Sequence, residues 1–251
     1  MSTRRQPAVS GHGPGRRGAD TLGRVSLAGA WEDHAEEWIA WARSSPYDGF
    51  REGTWPALRE LLPQPGAGPV IDVGCGEGRA SRELRKLGYR VAGLERSPTL
   101  AGAAAAACRE VPVLLADAAA MPFADRSADL VVACMSLLDI DDFEGAVSEI
   151  ARVLRLGGVL CMAVVHPFWS AQDVDTMRTG SFRFSRPYLE PHRYVDRVER
   201  DGLAMTFTST HRPLCAYTSA LLANGMVISA LTEGGERVIP WLLAIRAEKI
   251  A

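Results

Sequence analysis

The run Asp72-Val73-Gly74-Cys75-Gly76-Glu77-Gly78 sets glycines at alternate positions and brackets the first two of them with acids. In a tight turn Gly74 and Gly76 let the main chain approach a ligand closely, while Asp72 adds negative charge. Glu95 follows about twenty residues later, the spacing at which a carboxylate accepts both hydrogen bonds of a ribose diol. Asp117, followed by Ala118 and Ala119 with unobstructed backbone groups, can accept from the exocyclic amine of an adenine. A glycine-rich turn is also a common structural device, and acids at strand ends also serve as solvated caps. Together the turn and the three acids describe an adenosine site.

Two ligand classes compete for such a site. A nicotinamide or flavin dinucleotide asks for G-x-G-x-x-G, so that a helix N-terminus faces the diphosphate. Five residues after Gly74 comes Arg79 instead of glycine, and Asp72 and Glu77 disfavour an anion. Those acids suit a cation, and S-adenosylmethionine carries a sulfonium and an α-amino group.

These residues need strand ends to hold them. Trp31 to Leu62 has helical spacing with a loop inside it, and Pro63 to Pro69 stops it. Strands are expected at Val70–Gly74, Arg90–Glu95, Val111–Asp117, Leu130–Met135 and Val159–Val165. Between them fall helices from Glu77 to Leu87, from Pro98 to Glu110 with Ser97 as cap, and from Asp142 to Leu154 with Gly157-Gly158 as its stop. That alternation predicts a parallel sheet covered on both faces, with ligands beyond the carboxyl ends of the strands. From Pro167 to Asp201 no period is visible, so the segment reads as a lid over the sheet edge. The pattern resumes at Met205–Thr210, with a helix over 213–223 and strands at 226–231 and 239–246; Glu233-Gly234-Gly235 suits a hairpin that puts an antiparallel strand at the sheet's end. The organisation is thus a disordered Gly, Pro, Ser and Arg-rich tail at 1–24 and a single domain over 25–251. Within that domain lie a helical cap (25–66), a cofactor-binding core (67–166), a lid (167–212) and a C-terminal helix with hairpin (213–251).

The segments 70–79, 93–98 (Gly-Leu-Glu-Arg-Ser-Pro), 116–123 (Ala-Asp-Ala-Ala-Ala-Met-Pro-Phe), 129–132 and 152–158 (Arg-Val-Leu-Arg-Leu-Gly-Gly) strongly resemble the class I S-adenosylmethionine-dependent methyltransferases, in that family's order. The likeness is tight over residues 70–165. Trp31-x-x-x-Ala35-x-x-Trp38 and His211-Arg-Pro-Leu-Cys-Ala-Tyr217 also look like its small-molecule branch, found in bacterial natural-product and general metabolism. The resemblance implies an α/β, doubly wound, mostly parallel seven-stranded sheet of Rossmann-like type with an antiparallel C-terminal strand and a lid insertion. It also implies methyl transfer from S-adenosylmethionine, leaving S-adenosylhomocysteine. Residue by residue, it sets Asp72, Gly74 and Gly76 around the methionine moiety, Glu95 on the ribose and Arg96 along the adenine. Asp117 and Ala118 fall at the adenine edge, and Met135 and Ser136 beside the transferred methyl. Trp38 either closes over the cofactor or packs helix on helix. The branch usually has aspartate where Glu95 stands; glutamate still offers two oxygens to a diol.

Methyl transfer is an in-line displacement, so positioning and exclusion of water come first, and a base is needed only for an acceptor such as a phenol or alcohol. His166, after the fifth strand, is the leading candidate for that base, with His211 and Asp139 behind it; a structural corner for His166 and a cap for His211 are the competing readings. Phe168, Trp169, Tyr188 and Tyr194 are expected as pocket walls, although ordinary lid packing explains them equally well. No metal site is expected. Since fold does not fix reaction, a non-methylating step such as a cyclisation and a non-catalytic binding scaffold stand as alternatives.

The composition limits partners further. A formal charge of −2 over 251 residues leaves no basic field for nucleic acid or anionic lipid, and no apolar run is long enough for a membrane span. Five scattered cysteines without a C-x-x-C pair read as reduced thiols. The Arg4-Arg5 pair is followed by no apolar export stretch. The expectation is a cytoplasmic enzyme, monomer or homodimer, with a small-molecule acceptor.

Overall fold

The computed structural model describes residues 26–44, 49–66, 68–171, 184, 186–200, 202–235 and 239–250. The expected tail at 1–24 lies outside them, as does the stretch 172–183 of the expected lid.

The N-terminal segment is broken into short pieces: α1 (Leu27–Asp33), α2 (Ala35–Ser44), a π-helical turn (Phe50–Thr54) and α3 (Trp55–Leu61). Ser26 caps α1 by accepting from the Gly29 N–H, and the side chain of Asp141, far along the chain, accepts from the N–H groups of Leu27 and Ala28. The helical cap is thereby fastened to the loop that follows the fourth strand.

Five strands then pair in parallel: β1 (Pro69–Val73), β2 (Arg90–Glu95), β3 (Val113–Leu115), β4 (Ala128–Cys134) and β5 (Leu154–Val165). Between them run α4 (Arg79–Lys86), α5 (Pro98–Ala107) and α6 (Phe143–Val153). Their apolar runs are continuous because each strand is covered on both faces. Alternate residues divide the core: Ile71, Val73 and Val131 face one side with Val147 and Ile150 of α6, while Val70, Leu130 and Val132 face the other with Leu58 and Leu84. Ser97 caps α5 and Asp142 caps α6 through the Leu100 and Gly145 N–H groups.

Beyond β5, a one-turn helix α7 (Pro167–Ser170) leads towards a two-stranded antiparallel sheet of β6 (His192–Arg200) and β7 (Leu203–His211). Regular structure therefore extends into a region whose sequence shows no period before Met205. After α8 (Leu214–Ala223), the strands β8 (Met226–Gly234) and β9 (Leu242–Lys249) complete the main sheet. Its order is β3-β2-β1-β4-β5-β9-β8, with β9 antiparallel to both neighbours. The antiparallel strand is thus next to last, and β8 forms the edge. The strand order reverses between β1 and β4, which opens a crevice beyond their carboxyl ends.

Candidate active site

The floor of the crevice is the turn after β1. Gly74 has φ 65° and Gly76 φ 57°, a region side chains avoid, and a Cβ on Gly74 would come within 2.5 Å of Ser136 Cβ. Gly74 and Cys75 donate their N–H groups to the Leu94 carbonyl at 2.8 and 3.1 Å. The Gly76 N–H donates to Glu95 Oε2 at 2.8 Å, while Glu95 Oε1 accepts from the N–H groups of Arg96 and Ser97 at 2.8 and 2.9 Å. Burial raises the Glu95 pKa, and these three N–H groups oppose the rise.

Asp72 is 1% exposed. Its Oδ2 accepts from the Ser81 hydroxyl at 2.5 Å, whereas its Oδ1 is buried with no hydrogen-bond partner among the described residues. Burial pushes its pKa up to about 6 against the pull of Ser81. At the end of β4, Ser136 donates to the Val73 carbonyl at 2.6 Å, and Met135 takes the left-handed φ of 58° while donating its N–H to Ala163. Past β3, Asp117 accepts from the Ala119 N–H at 2.9 Å and from the Arg96 guanidinium; the buried Ala118 lies beside it.

All ten residues expected around the cofactor line one cavity of about 340 Å³. Trp38 forms part of its wall, edge-on to Trp31 (centroids 5.8 Å apart) and Phe207 (6.0 Å), with the Arg79 guanidinium 4.5 Å from its ring. It both packs between helix and hairpin and faces the cavity. Among the described residues, seven acidic side chains line the space against two basic ones, Arg79 and Arg96. Several of these charges are neutralised locally. Glu77, which the sequence suggested as a free negative charge, is held by Arg82 and Arg43 at 2.7 and 3.0 Å, and Asp141 by Arg193 at 2.6 Å. The negative character rests on Asp72 and Glu95. The residues present fit a cationic adenosyl ligand such as S-adenosylmethionine, because the buried Asp72, at the end of β1, offers the cavity a carboxylate oxygen without a partner among the described residues.

The three base candidates fall in different places. His166 is 1% exposed and does not line the cavity. Its Nδ1 accepts from the Phe168 N–H at 3.1 Å and its Nε2 meets Glu233 at 2.8 Å; burial lowers its pKa and Glu233 opposes this. His211, fully buried, bridges Ser170 Oγ at 2.7 Å and the Tyr188 carbonyl at 2.8 Å, also away from the cavity. Both histidines hold the chain around α7. Asp139 lines the cavity, on a 3-10 turn (Leu137–Asp139) that follows β4.

Of the aromatic residues expected as pocket walls, Tyr194 is buried in the cavity lining. Phe168 and Tyr188 instead meet each other at a tilt, Phe168 also tilted against His166 and Tyr188 edge-on to His211, with Phe168 exposed, and Trp169 lies outside the lining. The structure adds Trp31, Phe207, Ser209 and Trp241, which the sequence reading did not single out as site residues. For Trp31 a signal existed in its spacing from Trp38. For Phe207 and Ser209 it was the alternation of β7, in which Phe207 and Ser209 face the cavity.

Comparison with known proteins assigns the class. Residues 71–162 match the family model described as "Methyltransferase domain". The chain is 31% identical to Methyltransferase GfsG of Streptomyces halstedii over 202 residues, 70% of this chain and 72% of that protein. It is 29% identical to a malonyl-[acyl-carrier protein] O-methyltransferase of Coxiella burnetii over 148 residues, and there it spans only about half of either chain (50% and 50%). A solved S-adenosylmethionine-dependent methyltransferase from Mesorhizobium loti shares the fold, with a TM-score of 0.63, 23% identity and coverage of 77% of this chain and 96% of its own. The protein belongs to the class I S-adenosylmethionine-dependent methyltransferases.

Proposed function

We propose that this chain transfers the methyl group of S-adenosylmethionine to a small, largely apolar acceptor bound in the same cavity. One observation supports this above the others: the buried Asp72, one carboxylate oxygen of which has no partner among the described residues, and the buried Glu95 share a cavity that also presents Trp31, Trp38, Trp41, Tyr194 and Phe207. An anionic diphosphate meets repulsion there, whereas a sulfonium and an ammonium group meet charge of the opposite sign.

In this reading Asp72, with the main chain of Gly74 and Gly76, holds the methionine moiety, Glu95 the ribose diol, and Asp117 with Ala118 the adenine edge. Arg96 lies along the base. Met135 and Ser136 set the floor beneath the transferred methyl, and Trp38 closes the cofactor from above. When bound, S-adenosylmethionine supplies an electrophilic methyl carbon. The helical cap and the β6–β7 hairpin exclude water and align the acceptor. Residues 25–251 act together as one catalytic domain.

The acceptor is proposed to be a metabolite of bacterial secondary or general metabolism. None of the five cysteines forms a disulfide, which suits work in a reducing cytoplasm. Among the described residues no helix is long and apolar enough to cross a membrane. Incubating the protein with methyl-labelled S-adenosylmethionine and a metabolite extract tests the reading. Label in a new small molecule with matching S-adenosylhomocysteine is expected; label that stays in the cofactor while the extract changes would point to another reaction.

A further inference from the structure

We propose that Asp139, together with Trp31 and Ser209, is the acceptor-recognition group of this cavity, that it selects a small aromatic molecule bearing an ionisable hydroxyl, a phenol or enol, and that its carboxylate takes the hydroxyl proton. This rests on the methyl-transfer reading above and adds the class of the acceptor.

Three elements remote in sequence meet at this point: α1 brings Trp31, the 3-10 turn brings Asp139, and β7 brings Ser209, all on the cavity lining. Asp139 Oδ1 and Trp31 Nε1 are each buried with no hydrogen-bond partner among the described residues. Trp31 and Ser209 are close enough to Asp139 to favour its charged form, yet neither the Asp139 Oδ1 nor the Trp31 Nε1 reaches full hydrogen-bond geometry, and a ligand hydroxyl, which donates and accepts, would complete both.

The turn is held from behind. The buried Arg212 guanidinium donates to the carbonyls of Leu137, Leu138 and Ile140 at 3.3, 3.4 and 2.9 Å and lies 4.7 Å from the Phe143 ring. It grips the residues flanking Asp139 and brings positive charge near the carboxylate. Burial is the largest influence on Asp139 and pushes its pKa up to about 8; Ser209, Arg212 and Trp31 favour its charged form, and Glu95 opposes it. Below about pH 8 the group is protonated, and above it the carboxylate can accept the hydroxyl proton, so the transfer is favoured on the alkaline side of neutrality.

The walls select the rest of the molecule. Phe207 lies edge-on to Trp31, Trp38 and Trp41, with centroids 6.4, 6.0 and 6.4 Å away, and Tyr194 and Leu138 add further apolar surface. Such a slot accommodates a flat ring. Ionised Asp139 and Glu95 repel a carboxylate, and a neutral amine needs no base. In the transfer, the acceptor's O–H bond breaks and its proton passes to Asp139. Its oxygen forms the new bond to the methyl carbon, and the electron pair of the broken sulfur–methyl bond stays on sulfur, leaving a neutral thioether.

Calorimetric titration of the protein saturated with S-adenosylhomocysteine tests this with three probes of one ring size: 1-naphthol, naphthalene and 1-naphthoate. We expect 1-naphthol to bind roughly tenfold or more tightly than naphthalene, with naphthoate weakest, and Asp139→Leu to erase the difference. Equal binding of naphthol and naphthalene by the unaltered protein, or no binding of either, overturns the proposal, and so does a preference that survives in Asp139→Leu. If S-adenosylhomocysteine itself fails to bind, the methyl-transfer reading is what has failed.

Discussion

The Gly76 N–H donates to Glu95 Oε2 at 2.8 Å, tying the glycine turn after β1 to the end of β2. Because Glu95 is also fixed by the N–H groups of Arg96 and Ser97, its carboxylate is positioned before any ligand arrives. Removing it should loosen the turn as well as delete a ribose partner. Glu95→Ala is expected to weaken S-adenosylhomocysteine binding by about 1 to 3 kcal/mol. Asp117→Ala should cost less, because the Asp117 side chain is 36% exposed and already engaged with Arg96. Calorimetry on both variants checks the order, and an Asp117→Ala loss exceeding that of Glu95→Ala would contradict it.

Burial of Asp139 and Asp72 makes stability depend on pH with a definite sign. Their folded pKa values, about 8 and about 6, lie above the ordinary value of 3.8, so the folded protein holds protons that the unfolded chain releases. Stability of the ligand-free protein should therefore fall as pH rises from about 4 to about 8, with the Asp72 part complete near 6. Asp139→Asn should flatten the upper part of that slope. Melting temperatures from pH 5 to 8 provide the test; a slope unchanged in Asp139→Asn would show that Asp139 ionises normally.

Arg212 is a buried cation that donates to three main-chain carbonyls of one turn. Arg212→Leu should destabilise the protein by about 2 to 4 kcal/mol, since the carbonyls are left without their donor. Arg212→Lys should recover only part of this, a point charge being a poor substitute for the guanidinium fork. Urea unfolding of both variants measures it, and a Leu variant as stable as the parent would show that the clamp carries no weight.

Much of this was legible beforehand, and the reasons are local. The strands β1, β4 and β5 announce themselves as uninterrupted apolar runs, and the turn between Asp72 and Gly78 by its glycines. The strand β6 was hidden, because Tyr194, Asp196 and Val198 share a cavity-facing side on which an acid interrupts the apolar alternation. His166 drew attention as a titratable residue at a strand end, but the partner that occupies it, Glu233, lies 67 residues away. The environment of Asp139 was likewise beyond local reading, since it depends on Trp31, Ser209 and Arg212 arriving from three other segments.

The lid residues Tyr194 and His211 should separate experimentally. Tyr194 lines the cavity, whereas His211 joins Ser170 to the Tyr188 carbonyl outside it. Once an acceptor is in hand, Tyr194→Ala should reduce its turnover roughly tenfold or more with little change in cofactor affinity, while His211→Ala should chiefly lower the melting temperature. Steady-state kinetics with parallel cofactor titration and thermal melts distinguish the two. Identical profiles for both variants would mean that the hairpin acts only as a brace.

Buried carboxylates at the ends of β1 and β2 make this crevice suited to a cationic adenosyl ligand. Competitive calorimetry addresses it most directly, titrating the protein with S-adenosylmethionine, S-adenosylhomocysteine and NAD under one buffer condition. We expect saturable one-to-one binding of the first two and none of NAD at comparable concentration, with Asp72→Ala weakening S-adenosylmethionine more than S-adenosylhomocysteine because only the former carries the sulfonium charge. NAD binding as tight as either adenosyl ligand, or an Asp72→Ala variant that binds both as the parent does, would contradict it.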